Sequence, residues 1–451
     1  MSSLDISACQ NQYSLINKDG WLRMAAAPRA ILTLPTEILS EIFHHCLPFD
    51  PDEPTLLIRP DPEDAPLLLC AVCQRWRHIA LATPRLWNSL YLDANPTSAQ
   101  QAADYVKLCR LWLSRARGVP VAICMDTRSP PKTVASLLDT IVGMSRQWQN
   151  VEFVEDSTPQ LAVDSSFPYL EKLCISPHPG DYPVHSFLDA PKLVDAFVPF
   201  YTRGVLLPWH QLTSFGSNRV DIEDCFNLLR HGADLVNLYL GVPPYGPSIL
   251  PAQCFSLPRL ESLTLVGIDR HVPFSLLGCL KTPALKTLHV GFHYDSDAVS
   301  LSDISSFTSF ATKSSFQLHT LTLSLIPSTM DAVIECLKVT PSVVDLKLQL
   351  FHLIGQLNPL LTKMLDCSFL PKVEYLHIAG DTTCTPWTLL DVLKFRCKTA
   401  VGVARVQYLR LASPVVETSK RFVEMQPVYT ELVGSGTELY IGVRTYEDMF
   451  M

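Results

Sequence analysis

Through the last two thirds of the chain one spacing of apolar residues recurs: a first position, a second three residues on, and a third two beyond that. It occurs ten times, from Leu170-Leu173-Ile175 to Val406-Leu409-Leu411, in steps of 19 to 33 residues and at a mean period of about 26. The second and third positions lie two apart, so on a strand both point to one side and enter a core, while the residue between them faces outward. In six of the ten a proline stands two residues before the first apolar position: Pro168, Pro191, Pro258, Pro283, Pro341 and Pro371. Proline lacks an N–H and ends helices, so its place predicts a break between a helical return and the next strand. Met330, Val333, Ile334 and Leu337 share one face of a helix over Met330–Lys338, and Leu389–Phe395 and Leu137–Ile141 show similar spacing. Leu90–Leu92, Val119–Met125 and Val151–Phe153 read as earlier strands, and Thr437–Ile441 as a closing one. Strand alternating with helix in this way predicts stacked α/β units.

A different pattern precedes the repeats. Ile38, Leu39, Ile42, Phe43 and Cys46 form an apolar helical stripe, with Thr33 or Thr36 available as its cap and Pro48 as its stop. An acidic loop rich in proline occupies 49–66, and a second helix is expected from Leu67 to about Ala80 with Leu69, Val72, Cys73, Trp76 and Ile79 on one side. A module this short cannot bury much core alone, so its apolar faces need cover from the repeats or from another protein.

Composition narrows the field. With 47% apolar residues the chain is built to fold, and its 44 acidic against 36 basic residues give a formal charge of −8. That balance argues against nucleic acid as a general partner. The first 20 residues hold no basic segment followed by an apolar one, and no apolar run approaches the length of a membrane span. The expectation is a cytoplasmic or nuclear protein with no membrane contact, its 14 cysteines reduced. Cys70-x-x-Cys73 has metal-like spacing, but no second pair accompanies it and a buried helix face accounts for the step, so no metal site and no cofactor are expected. The chain holds no phosphate loop, HExxH or G-x-S-x-G, and no catalytic residue stands out.

Leu34-Pro35-x-Glu37-Ile38-Leu39-x-x-Ile42-Phe43, then Val72-Cys73-x-x-Trp76 and Thr83-Pro84-x-Leu86-Trp87, resembles an F-box. The form with a long acidic loop, continuing through Trp112-Leu113-Ser114-Arg115 into irregular leucine-rich repeats, is similar to the F-box-like proteins expanded in mushroom-forming fungi. The resemblance covers the chain from about Arg29 onward. It implies an α/β architecture: a short all-α F-box-like module over 29–92, then an irregular leucine-rich-repeat solenoid over 93–441 with strands on its concave face. Residues 1–28 are expected to be a disordered tail without heptads, and 442–451 a short tail. The family's repeat places Asn or Cys three residues past the third apolar position, whereas this chain has residues such as His178, Pro243 and Asp381 there. Its turns must therefore satisfy their backbone groups by other means.

By this resemblance the module docks the Skp adaptor of a cullin–RING ubiquitin ligase through Leu34, Pro35, Ile38, Leu39, Ile42, Phe43, Val72 and Trp76. The repeats hold the protein to be ubiquitylated, and the ligase chemistry belongs to other subunits. Two alternatives stay open: these residues only seal the end of the repeats, or the chain is an interaction scaffold without a role in ubiquitin transfer. For the substrate surface, strand register singles out the outward residues Phe197, Tyr239, His289, Lys347, His377 and Arg410, with Tyr375 and Tyr408 in a neighbouring column. Such a basic and aromatic strip on an acidic protein suits an acidic or phosphorylated segment.

Overall fold

Every apolar triplet becomes a strand, and a tight turn leads into most of them. The computed structural model describes residues 33–48, 57–127, 131–154, 165–176, 185–242, 254–267, 271–292, 301–325, 329–383, 386–397, 402–412, 427, 430–434 and 436–442. The six prolines sit at the corners of these turns. Leu170, Leu193, Leu260, Leu285, Val343 and Val373 donate their N–H to the carbonyls of Phe167, Ala190, Leu257, Thr282, Thr340 and Leu370, each three residues back, at 3.1–3.4 Å. Proline is thus the second residue of a four-residue turn, where its fixed φ suits the bend. Each proline separates one unit's return from the next strand by turning the chain, and these turns use six of the 35 prolines.

The fold is mixed α/β, and the chain divides into two compact units, one ending at Gln211 and one beginning at Leu212. The first unit holds α1 (Thr36–His45), α2 (Leu67–Val72), α3 (Gln74–Ala82), β1 (Ser89–Asp93), α4 (Ala99–Ser114), β2 (Val121–Asp126), α5 (Pro131–Val142), β3 (Trp148–Val154), β4 (Lys172–Ile175) and β5 (Asp195–Phe197). Its strands pair in parallel in chain order. Ile58 lies along the free edge of β1, where Tyr91 N–H donates to its carbonyl at 2.8 Å. A covered edge offers no template for stray strands.

The second unit holds β6 (Ser214–Ser217), α6 (Ile222–His231), β7 (Asn237–Val242), β8 (Ser262–Gly267), α7 (His271–Gly278), β9 (Thr287–Phe292), α8 (Leu301–Ser314), β10 (Thr320–Leu325), α9 (Met330–Lys338), β11 (Asp345–Gln356), α10 (Asn358–Lys363), β12 (Tyr375–Thr383), α11 (Pro386–Cys397), β13 (Tyr408–Ala412) and β14 (Glu438–Gly442). These strands are also parallel and in chain order. One backbone device repeats along them. The carbonyl of Thr213 accepts from both Val236 and Asn237, that of Val236 from Glu261 and Ser262, and that of Glu261 from Lys286 and Thr287. The series continues through Lys286, His319, Val344 and Glu374. Two donors per carbonyl leave no buried N–H unpaired at strand entry and hold each strand level with the last. Leu238 to Leu411 then stack inward, each paired second and third apolar residue at most 4% exposed.

Three local expectations change. The predicted helix from Leu67 is two, broken at Cys73, whose backbone is extended (φ −161°, ψ 169°) and whose sulfur accepts the Trp76 N–H at 3.5 Å. No threonine caps α1; its N-cap is Pro35, and no side chain bonds there. Strands β11 and β12 run well past their triplets, with a register shift between Leu350 and Gly355. Gly380 makes this fit: its φ is +139°, and a Cβ would fall against the Leu350 carbonyl. Residues 1–28, 49–56 and 443–451, and positions such as His178 and Pro243, lie outside the described residues.

One buried cation satisfies the backbone at the turn ahead of β12. Arg396 is fully buried and donates from Nε to Met364 O at 2.7 Å, from Nη1 to Leu370 O at 3.1 Å and from Nη2 to Phe369 O at 2.5 Å. Replacing it with Met leaves three carbonyls without a donor. At ~1–3 kcal/mol for each orphaned group, Arg396→Met should lose about 3 kcal/mol or more, while Arg396→Lys recovers only part. Urea unfolding measures this, and an unchanged midpoint for Arg396→Met contradicts it.

Candidate functional site: two interaction surfaces

Each unit carries one of the surfaces singled out in the sequence. In the first unit the α1 stripe divides by angle. Leu39 and Phe43 are fully buried, and the Phe43 ring meets Trp76 with centroids 4.9 Å apart. Ile38, one position round the helix, is 50% exposed. Pro35 is exposed, and Leu34, Ile42, Val72 and Trp76 are half-buried. The break at Cys73 lets α2 and α3 present separate faces: Leu69, Ile79 and Ala80 turn inward, while Leu68 remains 47% exposed. Leu68 was missed in the sequence reading; the run Leu67-Leu68-Leu69 is the signal, since three successive helical residues cannot all face one side.

The inner faces are fixed to the rest of the unit. Arg75 Nη2 donates to Leu34 O at 2.5 Å, and Trp87 Nε1 donates to Ala80 O at 2.8 Å. Trp87 packs edge-on against Trp112 at 4.9 Å, the Arg115 guanidinium lies 4.2 Å from the Trp87 ring, and Trp112 Nε1 donates to Ser89 O. The helices are thus packed against their own unit, and the outer surface they leave is apolar at Ile38 and Leu68.

In the second unit, register builds the other surface. Tyr239, Thr264, His289, Thr322, Lys347, His377, Arg410 and Tyr440 stand side by side on successive strands. A parallel row runs Asp345, Tyr375, Tyr408, Glu438. The structure thus brings Lys347, His377 and Arg410 together and sets Tyr375 beside Tyr408. His289 lies two strands from Lys347, and Tyr239 two strands from His289. Phe197 belongs to the first unit, in a row with Cys174, Glu152, Cys124 and Tyr91. Tyr440 was missed, although the alternation Glu438-Leu439-Tyr440-Ile441 marks it as outward; the Arg410 guanidinium lies 4.3 Å from its ring centroid. Tyr375 is 43% exposed, whereas His377 is only 7% exposed and forms part of the floor.

Charge on this face is uneven. Burial and the Lys347 ammonium hold His289 below its ordinary pKa of 6.5, so it is neutral at pH 7. The positive charge of the row thus rests on Lys347 and Arg410. In the first unit, burial and the Glu152 carboxylate push the Cys174 thiol up to about 12 and raise Cys124 as well, so both stay protonated. Among the described residues no three His, Cys, Asp or Glu side chains are placed to hold a metal, and the Cys73 sulfur already accepts from Trp76. No described helix is long and apolar enough to cross a membrane.

No protein-family model matches this chain, and neither does any curated protein.

The His289 environment carries a pH signature. With its folded pKa lowered, the unfolded chain binds the proton first as pH falls, so stability from neutral His289 is full above 6.5 and is lost below it. Thermal unfolding from pH 7.5 to 5 should show His289→Gln losing less stability on acidification than the wild type. Identical pH slopes for the two proteins contradict the assignment.

Proposed function

We propose that this chain is the substrate-recognition subunit of a Skp–cullin–F-box type ubiquitin ligase. In this reading α1 to α3 are an F-box-like module that docks the Skp adaptor and, through it, cullin. The triplets form an irregular leucine-rich-repeat solenoid that holds the protein to be ubiquitylated. The chain acts as a receptor in the cytoplasm or nucleus, and the transfer chemistry belongs to its partners.

The observation that carries the reading is the outer face of the helices. Ile38 and Leu68 remain half exposed on helices whose other apolar residues, Leu39, Phe43, Leu69 and Ile79, are buried in their own unit. Residues that only sealed the repeats would have no reason to leave these two uncovered. Covering the exposed half of two such side chains is worth ~1–1.5 kcal/mol each, a real share of a micromolar affinity. Leu34, Pro35, Ile42, Val72 and Trp76 supply the rest of the contact, while Leu39 and Phe43 support it from beneath.

Co-expression of the full chain with a Skp-type adaptor and cullin tests this. The adaptor should co-purify, and Ile38→Glu with Leu68→Glu should weaken its binding at least ~100-fold without lowering the melting temperature. Leu34→Ala with Pro35→Ala should weaken it less. A well-expressed, folded chain that recovers no adaptor overturns the proposal and leaves an interaction scaffold.

A further inference from the structure

The face formed by β11 to β14 has a geometry that selects among acidic ligands. Lys347 and Arg410 are the cations of its central row, with the strand of His377 between them. Two strand spacings of ~4.8 Å separate them by ~9.6 Å. That is the backbone spacing, and the Arg410 guanidinium rests over Tyr440, on the strand farther from Lys347, so the two cations do not converge on one phosphate as gripping a dianion requires. The spacing fits two single negative charges held that far apart. An ordinary extended strand does not offer them, because residues three apart point to opposite sides. A polyproline-II segment does: with three residues per turn and a ~3.1 Å rise, residues i and i+3 lie on one side ~9.3 Å apart.

The neighbouring row fits the same conformation. Tyr375 and Tyr408 lie side by side, two residues along their strands from His377 and Arg410, and Tyr375 is 43% exposed. Paired tyrosines form the kind of aromatic ledge on which prolines stack. Asp345 and Glu438 flank the tyrosines at either end of that row. They repel acid from the ledge and confine it to the row of Lys347 and Arg410. Lys347 takes part in none of the ion pairs among the described residues, and Arg410 lies against Tyr440. The ligand's negative charge is complementary to these two cations, which stand out on a chain of net charge −8.

We propose that this face binds an acidic polyproline-II segment lying across the strands, with carboxylates three residues apart on Lys347 and Arg410 and prolines on Tyr375 and Tyr408. The inference rests on reading the sheet face as the substrate surface, and it names the substrate's recognition element.

Fluorescence anisotropy of the full chain with labelled peptides tests it. A Glu-Pro-Pro-Glu peptide should bind roughly 10-fold more tightly than Glu-Pro-Glu or Gln-Pro-Pro-Gln, and its affinity should fall several-fold between ~50 and ~300 mM salt. Lys347→Ala and Arg410→Ala should each cost roughly 5-fold or more. The variant Lys347→Glu with Arg410→Glu should reject that peptide and accept Lys-Pro-Pro-Lys, a reversal that misfolding cannot produce. Equal affinity for all three spacings and charges, unaltered binding in Lys347→Ala plus Arg410→Ala, or tighter binding of a single-phosphoserine peptide each overturns the proposal. If the peptide fails while the adaptor still co-purifies, only this inference falls. If the adaptor is not recovered but the spacing preference holds, the ligase reading falls and the peptide chemistry stands.

Discussion

From Thr213 to Glu374 the carbonyl oxygen just after the first apolar residue of each triplet accepts two N–H groups from the next strand's entry, and the sheet faces depend on that bond pair. Two donors on one oxygen fix where a strand begins, not merely that it pairs. In the second unit the arrangement passes from Thr213 to Glu374 without a slipped step. A one-residue slip would send Leu346 and Leu348 outward and Lys347 into the core. The four-residue turns before the strands, most with proline at the corner, set the chain's direction just ahead of the shared carbonyl. Within the second unit they make a level sheet out of steps as different as 23 and 33 residues.

This division explains what was legible. The triplets were readable because alternation about a buried core is a local pattern, and each of the ten became a strand. Met330–Lys338 was readable to the residue because its apolar period and its neighbours agree. The break at Cys73 was not, since it carries no glycine or proline and depends on a sulfur meeting the Trp76 N–H. Nor could the α1 stripe tell Ile38 from Leu39: they differ by one step of helical rotation, and only the packing of Phe43 against Trp76 decides which turns outward. Arg396 was invisible for the same reason, because its three carbonyl partners come from residues 26 to 32 positions away. Outward rows were half legible: the register was right, yet burial of His377 and the contribution of Tyr440 emerge only from the packed sheet.

The two surfaces differ in how they would bind. The helical face is apolar and anchored from behind by Trp87 and Trp112, so its affinity would come from excluding water at a few side chains. The sheet face is polar and aromatic, with two cations carried two strands apart and one of them turned onto Tyr440, so its strength lies in selecting charge spacing. A receptor needs both kinds: one constant partner held by shape and apolar area, and one variable partner chosen by pattern. The proposed division of labour follows from these contrasting chemistries.

Hydroxyl-radical footprinting of the full chain, alone and with a Skp-type adaptor, tests the central claim most directly. The account predicts that Ile38, Leu68 and Trp76 lose reactivity on adding the adaptor while Tyr375 and Tyr408 keep theirs. Unchanged labelling at Ile38 and Leu68, or protection confined to the tyrosines, would contradict it.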